Sequence, residues 1–392
     1  MAERVSESVL EVDFSATNEQ RALEEEFSAF GREVLTKLAH RIGGGGVSIR
    51  DVWRECAQHG LHGLVVDQTW GGRGLSASAA LAALEGLGYG CTDNGILFAM
   101  GAQQWSFTLP LIRFGTHAQQ AGYLPRICDG SLIATGAITE PNAGSDSLAL
   151  ETTATGAAGG YVLNGRKTLI TSAPIADWFL VFAATDSDSG IGSTSAFLVA
   201  SRQPGVIVHE PLMKMGLAAA DMGDIEFRDC RLDADALVGE EGGGYAIFST
   251  AMEWERTFIL APALGTMRRQ LERCIQHAQT RRQFSHPLGD FQAVAHRIVS
   301  MKLRLDTSRL LLYRVAWLKE QGRPAAQESA LAKLQVSEAL LESSLDALQI
   351  HGGKGYLVRE GLECDVRDAV AARLYSGTSE IQRNNIAASL GL

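Results

Sequence analysis

Tyr161-Val-Leu-Asn-Gly-Arg-Lys-Thr-Leu-Ile-Thr171 is a β-prone stretch set between two long helical regions, and its reading decides the fold class. Asn-Gly between apolar runs is the strongest short-range hairpin signal, because both central residues of a type I′ turn need positive φ. A hairpin of Tyr161–Leu163 and Lys167–Thr171 is therefore expected, with further strands at Trp178–Ala183, Ala196–Ala200, Val206–Val208 and Asp224–Phe227. Upstream, Leu23, Phe27, Phe30, Val34 and Leu38 recur every three or four residues and form one apolar helix stripe. The glycines at 43–46 should stop that helix, and Ser48 should cap the next. Downstream the helical period returns over roughly Gly244–Arg282, Asp290–Gln321 and Pro324–Ile350, with a shorter helix near Gly361–Leu374. Long helices with short connections pack as a bundle. The expected fold class is mainly α with a central β domain.

Composition narrows the function. The chain has 392 residues, of which 46% are hydrophobic and 20% charged, and its net charge of −10 repels phosphate backbones and anionic lipid. No nucleic-acid or membrane partner is expected. Six scattered cysteines without a CxxC pair suit a reducing cytoplasm, and Met1–Ser8 lacks the apolar core of a secretory signal. The uncharged stretch Asn94–Ile112 is interrupted by Gln103, Gln104, Ser106, Thr108 and Pro110, which argues against a membrane span. Gly86-Leu-Gly88-Tyr-Gly90 lacks the spacing and the strand–turn–helix setting of a dinucleotide fingerprint. His59 and His62 have no acidic or cysteine partners nearby in sequence, so they read as packing histidines, and no metal is expected.

Two segments remain. Thr139-Glu-Pro-Asn-Ala-Gly-Ser-Asp146 combines rigid turn residues with uncharged hydrogen-bonding groups. It suits a neutral heteroaromatic ring, and equally an ordinary loop at the helix-to-strand switch. Gln349-Ile-His-Gly-Gly-Lys-Gly-Tyr356 and Leu374-Tyr-Ser-Gly-Thr-Ser-Glu-Ile-Gln-Arg383 place glycines where another molecule can approach the backbone, or simply end helices.

Taken in order, these motifs resemble the acyl-CoA dehydrogenase family of flavoproteins along nearly the whole chain. Gln68–Leu75, Thr139–Asp146, Tyr161–Thr171, Arg281–Phe284 with Phe291-Gln292, Gln349–Tyr356, Arg367-Asp368, and Gly377-Thr378 with Ile381-Gln382 carry the likeness. The resemblance implies an N-terminal all-helical domain over 1–134, a β-barrel-like middle domain over 135–241 and a C-terminal four-helix bundle over 242–392. It further implies FAD, an acyl thioester substrate, an electron-transfer flavoprotein or other acceptor, and a homotetramer or homodimer. Residue by residue, it assigns Ile138 and Thr139 to the flavin pyrimidine edge and Thr171 to flavin N5. Ser145 lies between flavin and substrate. Arg281, Phe284, Gln292, Gly352 and Gly353 face the FAD of a neighbouring subunit, and Thr378 with Glu380 the adenosine part.

Two departures stand out. Leu169 replaces a flavin-covering Trp, which would leave the ring face more open. Ser376 stands where a catalytic Glu most often precedes Gly-Thr. A minority of the family carries that Glu on the first bundle helix, and the matching position in Ala251-Met-Glu-Trp-Glu-Arg-Thr257 is Glu255. Glu253 competes, but at about 100° per residue the two point roughly 200° apart, so one helix face uses only one. Both could also be solvated surface glutamates. The resemblance thus implies α,β-dehydrogenation of an acyl-CoA or an acyl or aminoacyl carrier protein. Glu255 would take the α-proton, the β-hydride would pass to flavin N5, and the Ser376 backbone N–H would serve the enolate oxygen. Arg256, with Arg268, Arg269 and Arg273, either steers the phosphopantetheine carrier or faces solvent. An acyl-thioester oxidase or flavin monooxygenase using O₂, and a flavin-free scaffold, are the rival readings.

Overall fold

The computed structural model describes residues 15–42, 46–147, 149–185 and 190–392; the expectations for Met1–Ser8 and for the glycines at 43–45 fall outside them. Thr17 caps α1 (Asn18–Phe30), which passes through a π-turn into α2 (Thr36–Ala39). Ser48 caps α3 (Ile49–Gln58) in a reciprocal box with Asp51. Then come α4 (Ala77–Gly90), α5 (Asn94–Gln103), a π-turn over Gln104–Thr108, α6 (Leu109–Phe114) and α7 (His117–Cys128).

The middle of the chain supplies β1 (Ala134–Ala137), β2 (Thr153–Ala157), β3 (Gly160–Thr171), β4 (Trp178–Ala184), β5 (Thr194–Ala200), β6 (Val206–Val208), β7 (Met222–Asp233) and β8 (Leu237–Val238). They form one sheet in the order β6-β7-β3-β2-β4-β5-β8, with β1 parallel to β4. Among the described residues this path has two ends, β6 and β8, so the barrel-like middle domain is a strongly mixed sheet without a closing ladder. After it follow α8 (Gly244–Phe258), α9 (Ala261–Thr280), a short hairpin of β9 (Arg282–Gln283) and β10 (His286–Pro287), α10 (Gln292–Glu320), α11 (Ala326–His351), α12 (Leu362–Ala372) and α13 (Ser379–Ser389). No described helix is long and apolar enough to cross a membrane.

Two local expectations are corrected. Asn164-Gly165 is not a turn. Strand β3 runs through it with a bulge, pairing Leu163 with Cys230 and Gly165 with Phe227 of β7. The glycine is needed there because a Cβ would lie 2.5 Å from Thr152 Oγ1. The reversal comes earlier, at Ala158-Gly159 between β2 and β3. Nor is Gly244–Arg282 one helix. Pro262 has no N–H to continue the ladder, and the chain breaks at Ile259-Leu260 into α8 and α9.

The Gly86–Gly90 run is a packing notch. A Cβ on Gly86 would meet Glu24 O of α1 at 2.2 Å, one on Gly88 would meet Pro262 O of α9 at 1.9 Å, and one on Gly90 would meet Ser28 O at 2.0 Å. Helix α4 thus crosses both partners backbone to backbone. In consequence the N-terminal helices and the bundle share one core that includes Phe27, Trp53, Phe98, Phe258 and Leu264, while the sheet keeps a core around Phe179, Phe197 and Phe227. The sheet's 209–221 loop is tied to α12: Leu217 N–H donates to Asp368 Oδ1 (2.5 Å) and Arg367 donates to Met215 O (2.9 Å).

Candidate active site

Helix α8 buries Glu255, leaving 8% of it exposed, and places it opposite the turn between α12 and α13. Ser376 Oγ of that turn donates to Glu255 Oε1 at 2.6 Å. Burial pushes the Glu255 carboxyl above its usual range, because the charged form is disfavoured there; Ser376 and Arg256 offset part of that rise. Ser376 and Gly377 both take left-handed conformations, with φ of 54° and 85°. Their carbonyls accept from the buried Gln382 amide at 3.1 and 2.9 Å. The Ser376 N–H donates to no described acceptor, within a turn that Gln382 braces.

Glu253 is different. It pairs with Lys319 and accepts the Ala325 N–H at 2.9 Å, while its own carbonyl accepts from Ser329 Oγ. It braces α8 against α10 and α11. Neither glutamate is a solvated surface residue.

The 138–146 loop is fixed from beneath by an ion pair between Glu140 and Lys167, both buried, at 2.6 Å. Lys167 Nζ also donates to Ile138 O (3.0 Å), and Glu140 accepts the Glu151 and Thr152 N–H groups. Burial draws Lys167 down to about 8, with Glu140 acting against the fall. Burial raises Glu140, and the Lys167 ammonium together with hydrogen bonds from Thr152 and Glu151 more than reverses this, holding it below its usual range. Across the turn, Glu140 and Ala143 exchange backbone hydrogen bonds, and Thr168 N–H donates to Thr139 O (2.9 Å). The hydroxyls of Thr139, Ser145 and Thr171 are left without a described partner. Leu169 sits at φ 57°, 55% exposed, its backbone held by Asp224, which also binds Thr168 and Arg166. These three unpartnered groups are uncharged hydroxyls.

The remaining assigned residues form a second, exposed set. Arg281 ends α9, Phe284 lies on the following hairpin with 87% of it exposed, and Gln292 begins α10. Gly352 (φ 58°) and Gly353 follow α11, and a Cβ on either would meet nothing within 4 Å. Thr378 caps α13, and Glu380 lies on its exposed first turn beside Arg383. The arginines proposed to steer a carrier are struts instead. Arg268 pairs with Glu24, Arg269 donates to the carbonyls of Gly88, Tyr89 and Cys91, and Arg273 binds Glu360. Arg256 stays half-buried beside Glu255, and its Nε has no described partner.

Sequence reasoning missed the Glu140–Lys167 pair, Asp224 and Gln382. The first had a readable signal, a carboxylate inside the turn motif and a lysine at an inward strand position. His62 is a packing residue, bonded to Trp53 O and lowered to about 4 by burial; His59 stacks on Phe30 at 4.0 Å.

Family comparisons agree along the chain. The acyl-CoA dehydrogenase N-terminal domain matches residues 17–131, the middle domain 135–230 and the C-terminal domain 242–391. The L-prolyl-[peptidyl-carrier protein] dehydrogenase of Pseudomonas fluorescens is 44% identical over 341 residues, which is 87% of this chain and 90% of the relative. The structure of the prolyl acyl carrier protein oxidase AnaB superposes with a TM-score of 0.94 at 42% identity, covering 96% of this chain and 100% of AnaB. PigA, solved with FAD and proline, gives 0.94 at 37% identity, with 97% and 100% covered.

Proposed function

The chain belongs to the acyl-CoA dehydrogenase family and carries out FAD-dependent dehydrogenation of a thioester, and on that premise we propose that the thioester holds an L-prolyl group on a peptidyl carrier protein. Similarity to a prolyl-carrier dehydrogenase over most of both chains supports the substrate. The carrying observation for the chemistry is Glu255, buried, raised in basicity and bonded through only one oxygen.

The residues divide the work as follows. Glu255 takes the proton from the carbon next to the thioester carbonyl, and the electron pair of that C–H bond becomes the new double bond as hydride departs from the β-carbon. FAD, when bound, supplies the hydride acceptor at N5. The Ser376 N–H stabilises the developing enolate oxygen, a role that needs only main chain. Burial makes Glu255 a stronger base for a weak carbon acid. Ile138 and Thr139 hold the pyrimidine edge of the flavin, Thr171 its N5 side, and Ser145 borders flavin and substrate, as does Arg256 on the substrate side. Thr378 and Glu380 take the adenosine part. Leu169 borders the ring face.

The exposed set of Arg281, Phe284, Gln292, Gly352 and Gly353 reaches the FAD of a second copy, so the working form is a homodimer or homotetramer. With every cysteine free, the enzyme works in the cytoplasm. Electrons then pass to an electron-transfer flavoprotein or another acceptor; release to O₂ is not the favoured route.

Anaerobic mixing of the holoenzyme with prolyl-carrier protein, prolyl-CoA and butyryl-CoA tests the reading. Bleaching of the flavin fastest with prolyl-carrier protein is expected. Bleaching by butyryl-CoA alone would overturn the substrate assignment.

A further inference from the structure

Residues 216–221 form a strap from α12 to the end of β3, and so span the two halves of the proposed chemistry. Resting on the reading of Glu255 as the base and Thr171 as the flavin N5 contact, we propose that Asp368 is a positioning residue for the reaction. By holding Leu217 it sets the spacing between the Thr171 end of the sheet and the Ser376 turn that meets Glu255.

The strap is anchored at both ends. At one, Leu217 N–H donates to Asp368 Oδ1 (2.5 Å), and Gly216 lies so close to α12 that a Cβ would stand 2.7 Å from Arg367 O. At the other, Ser172 N–H donates to Asp221 O (2.7 Å), and Met222 pairs with Thr171 in the β3–β7 ladder. Helix α5 closes the strap from the side, since a Cβ on Gly95 would meet Ala219 N at 2.9 Å. Leu217 and Ser172 both take left-handed conformations, with φ of 52° and 62°. A residue other than glycine keeps such a backbone only where its surroundings fix it. Beyond Asp368, α12 runs into the Ser376 turn. That turn is fastened by Ser379 N–H donating to Arg373 O (3.0 Å) and by Glu338, which accepts from the side chains of Arg373 and Ser379. A shift of the strap is therefore a shift of Thr171 relative to Ser376.

Stability alone does not call for a carboxyl at this place. Asp368 is buried, and its partners besides Leu217 are neutral: the Asn94 amide on Oδ2 (3.2 Å) and the Cys364 thiol (3.8 Å). The neighbouring Arg367 pairs with Glu363 instead, and Asp365 shares the Asn94 amide (3.4 Å). Burial pushes Asp368 above its usual range, and the Leu217 and Asn94 donors act against the rise. A buried carboxylate without a cation is costly. What it supplies is an acceptor with two directed oxygens, one for the strap and one for α5. Removing a proton and passing a hydride require the base and flavin N5 to be held at one spacing. A misplacement of about 1 Å imposed from outside the site costs about 10²-fold in rate.

The test uses holoenzyme and the thioester that bleaches the parent's flavin fastest, in ordinary and β-deuterated form, by anaerobic stopped flow. Asp368→Ala should retain FAD and reduce its flavin about thirtyfold more slowly, with the half-saturating substrate concentration within about threefold of the parent's. Its β-deuterium isotope effect should exceed the parent's. Asp368→Asn keeps an oxygen for the Leu217 N–H and should recover to within about fivefold of the parent. Gly216→Ala leaves Asp368 in place but pushes the strap off α12; it should repeat the Asp368→Ala pattern, and serves where Asp368→Ala does not fold. Reduction at the parent's rate in FAD-loaded Asp368→Ala or Gly216→Ala overturns the proposal. Slowing with the parent's isotope effect and no recovery in Asp368→Asn also overturns it, as the mark of a purely structural role. Bleaching at the parent's rate in Glu255→Gln would instead remove the base assignment, and with it the spacing given to Asp368.

Discussion

Ser376 donates its hydroxyl hydrogen to Glu255 Oε1 across 2.6 Å, so the residue standing where the catalytic carboxylate most often lies now holds the carboxylate supplied by α8. The bond favours the ionised form and works against the burial that raises Glu255. Ser376→Ala removes it and keeps the backbone N–H. The acidic limb of flavin reduction should move to higher pH, and the plateau above it should stay within about tenfold of the parent, because the base and the enolate donor both remain. Stopped-flow bleaching across pH measures both; an unmoved limb would contradict the role given to this bond.

Glu255→Gln separates catalysis from stability. With the folded pKa above the unfolded one, the native state holds more protons between them, so stability falls as pH rises from about 4.5 through the folded value. Wherever the side chain is ionised, its burial is a cost that glutamine lacks. The variant should lose at least roughly a hundredfold in flavin reduction and melt no lower than the parent. Glu253→Gln should do the reverse. It strands Lys319 without its ion pair, so the melting temperature falls while flavin reduction survives.

The helical periods and the β segment between them are legible because each depends on local spacing, whereas Glu255 is marked by the family resemblance and spacing along α8 only separates it from Glu253. What surrounds Glu255 is not legible, since Ser376 lies 121 positions away and meets it only through the packing of α13. Asn164-Gly165 misled because turn chemistry was read without the bulge that pairs β3 with β7, a demand made by Thr152 crowding the glycine. The glycines of α4 had the right residue type for close approach; only the crossing of α1 and α9 identifies what approaches. The arginines on α9 looked free because their partners Glu24, Gly88 and Glu360 are remote in sequence.

The Glu140–Lys167 pair should prove structural and functional together. Glu140→Gln leaves a buried ammonium without its counter-charge, a change that costs about 3–5 kcal/mol when a buried pair is broken. It also replaces one of the two oxygens that accept the Glu151 and Thr152 N–H groups with an NH2 donor. A lower melting temperature should accompany faster loss of FAD on dilution, read as flavin fluorescence released from the protein. A variant that melts like the parent and keeps FAD as tightly would contradict the loop's place at the flavin.

Lys333 is 0% exposed, and its Nζ has no described hydrogen-bond partner. Burial lowers it to about 8, with Glu338 and Glu380 pulling the other way and Arg256 adding to the fall. Because the unfolded chain binds this proton more tightly, stability contributed by the site rises as pH climbs from about 8 to 10.5. Lys333→Met removes the buried cation. The variant should melt higher than the parent at pH 7, and the difference should shrink toward pH 10.5, which thermal melts at several pH values will show.

Two glycine substitutions distinguish packing from assembly. Gly88→Ala puts a methyl group 1.9 Å from Pro262 O, where backbone stands on both sides, so α4 and α9 must separate. The loss falls on the core shared by the N-terminal helices and the bundle, and the protein should melt much lower or fail to accumulate in soluble form. Gly353→Ala meets nothing within 4 Å in its own chain. If the loop after α11 approaches the FAD of a second copy, that methyl group is felt only there. The monomer fold should then be undisturbed, judged by circular dichroism of the apoprotein, while FAD is held more weakly by the assembled enzyme. Unchanged FAD retention in Gly353→Ala would place the second copy's cofactor elsewhere.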